Sequence, residues 1–354
     1  MKRMRAAILY GPKDIRIENI EMPKVKPEWV LIKVRATGIC GSDLHFYKEK
    51  SFIPIISDVG KGRYVPGHEF SGEVYELGSK VKGLKKGDRV GVEPIIGCGK
   101  CQWCKVGCYN LCEHYKLIGF HYIGGMAEYC VAPAENCFKL PNNVSFESAA
   151  MLDCIAVAIH AVNKAEIRGG DSVLIVGAGA IGLFALQAAL IQGASDVYVV
   201  GKYEFQLEKA RKLGATAVIN AKNESFSEKI MEITSGKGVD KVIEAVGGAS
   251  NVISDVLDVT RKKGTIVTTG IFTRPLSVDF FKILTKELTI TSSWGYCYFD
   301  RRKEFGTALD FLAKEKINTQ ELITHKYPLE KVSEAFETAL NKNKEKSIKV
   351  EIIF

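Results

Sequence analysis

Four cysteines, Cys98, Cys101, Cys104 and Cys112, stand as C-x2-C-x2-C-x7-C in one short, Gly-rich stretch. Thiolates are soft ligands, and four of them complete the tetrahedral shell of a Zn2+ ion with no position left open. A closed site of that kind holds a loop together and does no chemistry. A second donor set of different character lies upstream: Cys40, His68 and Glu69. One thiolate, one imidazole and one carboxylate leave room for a water or a substrate, which is the open pattern of a catalytic Zn2+. The cysteine run has a rival reading. Cys98, Cys101, Cys104 and Cys108 match the C-x2-C-x2-C-x3-C spacing of an iron–sulfur site. There the last cysteine is normally followed by proline, and here Tyr109 follows. Zinc on the set ending in Cys112 is the better reading, and Cys108 is then a spare thiol. A disulfide framework is disfavoured, because 10 cysteines in 354 residues is sparse for a stapled secreted fold.

A third constellation is VGAGAIG, a G-x-G-x-x-G that follows an apolar β-branched run and opens a helical one. In that context Gly177 permits the tight turn, Gly179 allows a pyrophosphate to approach, and Gly182 lets the helix pack on the strand. Ala180 and Ile181 begin the helix, whose N-terminal N–H groups and partial positive charge suit phosphate. The second strand ends in VVGKYE. A dinucleotide site for NAD normally carries an acidic residue there, which binds the adenosine ribose. The position holds Gly201, followed by Lys202 and Tyr203. A missing carboxylate beside a cation favours a 2′-phosphate, hence NADP(H) over NAD(H). The other reading has Lys202 solvated and Glu204 reaching the ribose.

These groups need two kinds of scaffold. From residue 1 to about 150 the chain reads as short strands and turns, such as AAILYG, IRIENIEMP, WVLIKVRATGI and FSGEVYELG. From about 165 strands alternate with helices: SVLIVG, a helix to about 192, DVYVVG, YEFQLEKARKLGA, AVIN, SFSEKIMEITSG, KVIEAVG, a helix through about 260, GTIVTTG and LTITSSW. Strands joined by helical crossovers predict an α/β doubly wound parallel sheet. The tail from about 293 has two amphipathic helices and the closing strand SIKVEIIF, and is expected to return to the first domain. The predicted domains are 1–154 with 293–354, and 155–292. At 354 residues two domains are the default. The apolar stretch from Val173 to Ile191 is long enough to span a bilayer, but Gly177, Gly179 and Gly182 divide it into strand and helix.

Composition is that of an ordinary soluble enzyme, 46% hydrophobic and 25% charged. The net charge of +8 is modest and reads as a lysine-rich solvated surface. No basic patch interleaved with aromatics argues for nucleic acid. The opening MKRMRAAILYG lacks a long apolar run, so no signal peptide is expected, and reduced cysteines point to the cytoplasm.

Together these motifs resemble the zinc-dependent medium-chain dehydrogenases, and the polyol dehydrogenases within them (sorbitol, butanediol and galactitol-1-phosphate). GHEFSGEVYELGSKV fits that family's G-H-E-x2-G-x5-G-x2-V, and the four-cysteine lobe, GDRV at 87–90, GG-x-AEY at 124–129 and the Gly-rich turn follow in family order. The resemblance covers essentially the whole chain. It implies a GroES-like, mostly-β catalytic domain, a Rossmann domain, and a homo-oligomer, either dimer or tetramer. It implies an enzyme that moves a hydride between NAD(P) and a secondary alcohol or polyol, a small-molecule substrate with neither nucleic acid nor membrane as partner. It makes Cys40 and His68 ligands of the catalytic zinc, with Glu69 a ligand or a carboxylate just behind the ligands. Alignment through A-x-x-H places Asp153 as the next ligand, with Cys154 as the alternative, and makes His160 a structural helix residue. Ser42 and His45 match the hydroxyl and imidazole that relay the alcohol proton. Gly201 departs from the acidic residue usual in NAD-dependent polyol enzymes. The competing class is a zinc lobe that binds nucleic acid or protein. It would need basic reading residues near Cys98–Cys112, where only Lys100 and Lys105 stand, and it leaves GAGAIG and GHE unexplained. Substrate selection is expected around Phe46, Tyr47, Phe120 and Tyr296.

Overall fold

The computed structural model describes residues 2–49, 56, 57, 60, 61 and 63–354. They form two compact units. One comprises Met1–Asp153, Asp300–Lys314 and Thr319–Phe354; the other comprises Cys154–Phe299 and Glu315–Asn318.

The first unit is built on a seven-stranded sheet. Its central strand, Trp29–Gly38, is flanked by Glu69–Leu77 and Lys349–Ile353, both antiparallel to it. Tyr129–Pro133 also pairs with Trp29–Gly38. The sheet continues through Arg89–Val92 to Cys137–Lys139 on one side and to Ile323–Pro328 on the other. Trp29–Gly38 reads WVLIKVRATG and is buried at most positions, as a central strand covered on both faces should be. A hairpin of Arg3–Gly11 and Asp14–Glu21 packs its apolar side into a core with Leu44, Tyr47, Tyr64, Val65 and the helix Val332–Leu340. The closing strand Lys349–Ile353 does return to this unit, as expected of SIKVEIIF. The expected start of the return at 293 is moved. The Ser293 N–H still donates to the Thr268 carbonyl at 2.9 Å, which keeps that segment on the other sheet, and the chain re-enters the first unit at Asp300.

The second unit is a six-stranded, wholly parallel sheet. In space the strands run Ala217–Asn220, Asp196–Gly201, Ser172–Val176, Val239–Glu244, Thr260–Thr268, Thr289–Ser292. This is the doubly wound order of a Rossmann fold, and the strand order reverses beside Ser172–Val176. The helix Ala180–Ile191 follows that strand and is apolar on nearly all sides because most of its residues are buried. Its run of apolar residues is therefore a core helix of 12 residues, and among the described residues no helix is long and apolar enough to cross a membrane. Gly193 ends it with φ +94°, just after the last capped turn.

The three fingerprint glycines have different reasons to be glycine. Gly177 has φ +114°, which L side chains rarely adopt. A Cβ at Gly182 would collide with the Gly177 carbonyl oxygen. A Cβ at Gly179 would meet no protein atom within 4 Å. Gly182→Ala should therefore cost about 1–3 kcal/mol of stability, read as a lower urea midpoint. Gly179→Ala should stay within about 0.5 kcal/mol of the unaltered protein in the same measurement.

Candidate active site

The central strand ends at Gly38, and Cys40 begins a helix immediately after it, Gly41–Lys48. Asp43, in the first turn, accepts the Cys40 N–H at 2.9 Å and is fully buried. This fixes Cys40 as the cap of the helix. On the neighbouring strand, Glu69 lies in register with Gly38, and His68 precedes it. Sheet and helix thus bring Cys40, His68 and Glu69 together, with one ligand atom from each within 4.8 Å of the others. His68 and Glu69 are buried, at 6% and 1% exposure, while Cys40 is half-buried.

The electrostatics of this cluster call for a cation. The Nδ1 atom of His68 is buried without a hydrogen-bond partner and stands 3.8 Å from the Asp43 carboxylate. Burial works against charge on His68, yet the Cys40 thiolate and the Asp43 carboxylate outweigh it and hold its pKa well above the usual imidazole range. Asp153 adds to that push. Burial in turn pushes the Asp43 carboxyl up, against the pull of His68. A site that draws a proton onto a buried imidazole will draw a metal ion there instead, and thiolate, imidazole and carboxylate are the donors Zn2+ takes. Glu69 is already partnered by Lys349, itself 2% exposed. There is no room for a side chain at Gly38, because a Cβ there would run into both members of the pair.

Ser42 and His45 lie on the same helix as Cys40, Ser42 half-buried and His45 exposed. Asp153 is the second residue of the helix Leu152–Ala165, in the same unit as Cys40 and His68, and half-buried. Cys154, the alternative, is 3% exposed and falls with the second unit. His160 is a buried residue of that helix. Phe120 stands at the cluster, 5.4 Å from the His68 ring, and Phe46 packs behind it, 5.5 Å from Phe120. Tyr47 does not. It packs on Phe336 and its hydroxyl donates to Glu337 at 3.0 Å, so it belongs to the core. Tyr296 is fully buried in the second unit.

The cysteine lobe gathers Cys98, Cys101, Cys104 and Cys112, their sulfurs within 4.8 Å of one another. Cys108 is not in that group; it caps the short 3-10 turn Tyr109–Leu111. Backbone N–H groups point at the sulfurs: Cys98 N–H to Cys112 Sγ at 3.2 Å, and Cys101 N–H to Cys98 Sγ at 3.4 Å. The N–H groups of Lys100 and Cys101 hold the Cys98 thiol down at about 6, while burial and its thiol neighbours push Cys104 up to about 12. Four sulfurs this close cannot all ionise alone, and a dication removes that conflict. The Tyr109 hydroxyl donates to the buried Glu93, which also accepts from Lys303 at 2.6 Å, tying the lobe to the sheet.

In the second unit Gly179 is the N-cap of Ala180–Ile191, so Ala180, Ile181 and Gly182 form its first turn. Gly201 ends its strand in a tight place: a Cβ there would lie 2.9 Å from both Ala178 and Leu207. Lys202 is exposed and Tyr203 half-buried, and the Lys222 ammonium sits 4.6 Å over the Tyr203 ring. Glu204 is bonded to Arg211 at 2.7 Å and to Asn220.

Residues 26–142 match the family described as "Alcohol dehydrogenase GroES-like domain", and residues 180–314 match "Zinc-binding dehydrogenase". The sorbitol dehydrogenase of Bacillus subtilis (strain 168) is 34% identical over 343 residues, 96% of this chain and 94% of that protein. This chain belongs to the zinc-binding dehydrogenase family. The D-arabitol-phosphate dehydrogenase of Enterococcus avium is 37% identical over 337 residues, 94% of this chain and 93% of that one. A solved zinc-binding dehydrogenase of Sinorhizobium meliloti 1021, bound to NADP, superposes with a TM-score of 0.89 at 29% identity, covering 100% of both chains. The protein is thus a zinc-dependent, nicotinamide-linked dehydrogenase with a GroES-like domain and a Rossmann domain. The matches give no support to a nucleic-acid-binding lobe.

Two residues of this dehydrogenase site escape a reading of the sequence. Asp43 stands three positions after Cys40, a spacing that signals a helix cap and hides its second contact with His68. Lys349 lies 280 positions from Glu69, and nothing local marks it. The two metal sites should respond separately. Cys101→Ser should cost one zinc per chain and lower the melting temperature, because a closed site contributes to folding. His68→Ala should cost the other zinc and nearly all turnover, with a smaller fall in melting temperature than Cys101→Ser. Zinc analysis beside a melting curve checks both.

Proposed function

We propose that this protein interconverts a secondary alcohol or polyol, such as a sugar alcohol or its phosphate, with the corresponding ketone. The observation that carries the reading is the open donor set Cys40, His68 and a carboxylate, buried among anions and beside aromatic rings. A Zn2+ held by Cys40, His68 and Asp153, with Glu69 beside them, supplies Lewis acidity toward the substrate hydroxyl, and the nicotinamide supplies the hydride acceptor. Asp43 orients both Cys40 and His68, through its bond to the Cys40 N–H and its place 3.8 Å from His68. Ser42 Oγ takes the hydroxyl proton, and His45 passes it to solvent. Their half-buried and exposed positions on one helix suit a relay from inside to outside. Lys349 pairs with Glu69 and places a positive charge beside that carboxylate. Cys98, Cys101, Cys104 and Cys112 hold a second, structural Zn2+.

We assign Gly177, Gly179, Ala180, Ile181 and Gly182 to the pyrophosphate and Gly201, Lys202 and Tyr203 to the adenosine ribose, with NADP(H) preferred over NAD(H). Support comes from Glu204, which is engaged by Arg211 and Asn220, and from Lys222 as a second cation beside Tyr203. We further read the protein as a cytoplasmic homo-oligomer. No disulfide joins any of the described cysteines. In the second unit Phe280, Phe281 and Leu284 are 75%, 73% and 73% exposed on one short helix, near an edge strand, Thr289–Ser292, which suits cover by a second copy.

A panel of polyols, diols and sugar phosphates, run with both cofactors, tests the activity; no turnover with any of them would overturn it. Asp153→Ala should lose most of the catalytic zinc and activity, whereas Cys154→Ala should keep both. The opposite pattern, by zinc analysis and rate, moves the ligand by one residue. Lys202→Ala should lower kcat/KM for NADP(H) by about 10-fold to 100-fold, the worth of one charge-assisted contact, and leave NAD(H) nearly unchanged. If the unaltered protein already prefers NAD(H), this loop does not hold a 2′-phosphate.

A further inference from the structure

A groove of about 710 Å³ opens in the first unit, and no metal donor lines it. That volume falls within the roughly 300–1,000 Å³ of sites that hold small molecules. Alternation along a strand lays down one side of it. Trp29–Gly38 carries Lys33 and Arg35 two positions apart, with the wholly buried Val34 between them. Lys33 stands in register with Tyr129 on one neighbouring strand and with Glu73 on the other. Tyr75, two residues beyond Glu73, meets Tyr129 edge-on with ring centroids 5.0 Å apart. The rest of the lining comes mainly from Lys2, Arg3 and Arg5 at the opening of the chain, and from Leu329 and Glu330 just after the strand Ile323–Pro328.

Charge in this groove is unbalanced. Five cationic side chains line it, Lys2, Arg3, Arg5, Lys33 and Arg35, against two carboxylates, Glu128 and Glu330. One guanidinium already takes both carboxylates. Arg5 donates to Glu128 through Nε at 3.0 Å and Nη2 at 2.9 Å, and to Glu330 through Nη1. Arg3 donates to the neutral Asn19 carbonyl, which leaves its charge uncompensated. Arg35 reaches Glu73 with one nitrogen only, at 3.2 Å and 3.3 Å from the two oxygens, the long end of the hydrogen-bond range. Among the described residues the Lys2 and Lys33 ammonium groups have neither a hydrogen bond nor an ion pair, and both residues are exposed. Open space therefore lies in front of the cations that lack a partner.

Lysines scattered over a surface need no counterion, because water solvates each alone. These cations are gathered around one groove, whose low-dielectric walls concentrate their field. An anion placed there relieves their repulsion and accepts charge-assisted bonds. Phosphate suits the set: Arg35 offers a planar fork, and Lys2 and Lys33 offer mobile point charges. Tyr75 and Tyr129 supply a ring wall for the body that carries it. We propose that this groove is a second ligand site, which binds the phosphate group of a small phosphorylated molecule through Lys2, Lys33 and Arg35. It shares no residue with the donors around Cys40 and His68, so it stands apart from the reading of that site.

The test titrates inorganic phosphate into the zinc-loaded protein at constant ionic strength and follows backbone amide NMR signals. NADPH and NADH are present in excess, so that the dinucleotide turn is filled. The Lys33 and Arg35 signals should shift and saturate in the millimolar range. Lys33→Ala and Lys2→Ala should each weaken that binding by about 10-fold or more, read at Arg35. Neither ammonium holds a partner, so both variants should melt and turn over like the unaltered protein. Lys105→Ala removes an equal charge from the cysteine lobe and should leave the binding unchanged. If the Lys33 and Arg35 signals do not saturate, or if chloride shifts them equally, the groove is a solvated basic surface and the proposal is overturned. Unchanged affinity in both Lys33→Ala and Lys2→Ala overturns it as well. So does an equal loss in Lys105→Ala, which would show that binding follows overall charge.

Discussion

The first unit depends on neutralising a knot of buried negative charge. Cys40, Asp43, Glu69 and Asp153 bear on one imidazole, His68. In a medium of low dielectric such groups cannot all ionise unless positive charge is placed among them. The protein itself places the Lys349 ammonium on Glu69. The raised pKa of His68 is the mark of the positive charge still wanted, which a metal ion supplies. Breaking the Lys349 pair would strand a buried carboxylate at a cost of about 3–5 kcal/mol. This explains a feature of the topology. Lys349 opens the last strand of the chain, and that strand must sit against Trp29–Gly38 for its side chain to reach Glu69. Gly38, between them, gives up its own side chain to the pair. The return of the tail is thus an electrostatic requirement of the site as well as a way to close a sheet.

The two sulfur sites solve the same problem in opposite ways. The lobe gathers four like donors and aims N–H groups at their sulfurs. Nothing in that arrangement leaves a direction for a substrate. The other site offers three donors of three chemistries and sets them against aromatic rings. A dication there keeps an unfilled direction, which is where its chemistry lies. The lobe is joined to the sheet through Tyr109, Glu93 and Lys303, a short polar chain whose carboxylate is wholly buried.

The sequence is legible where chemistry imposes short spacing. The lobe, the G-x-G-x-x-G turn and the strand–helix alternation each lie within a few turns of chain, so ligand geometry and backbone period show directly in the letters. The doubly wound sheet could be read strand by strand for that reason. What could not be read is long-range or depends on the orientation of one side chain. The helix Gly41–Lys48 hides among strands because it is short and mixes polar with apolar residues. Lys349 meets Glu69 only through the sheet. Tyr47 and Phe46 are adjacent, yet one packs on Phe336 and the other on Phe120, and only helix phase separates them.

Gly201 shows how one letter can carry two meanings. In the sequence it is a missing carboxylate. In the structure it is also a missing volume, because Ala178 and Leu207 leave no space for a Cβ without some shift. Ala178 lies inside the glycine fingerprint, so that turn and the strand end at Gly201 are packed against each other. An acid could enter at Gly201 only by displacing part of the fingerprint. The loop beyond carries Lys202, Tyr203 and the Lys222 ammonium over the tyrosine ring, while Glu204 is taken up by Arg211. Packing and charge push the same way at this position: a side chain at Gly201 must shift Ala178 or Leu207, and the charges around the loop that are not already paired are positive.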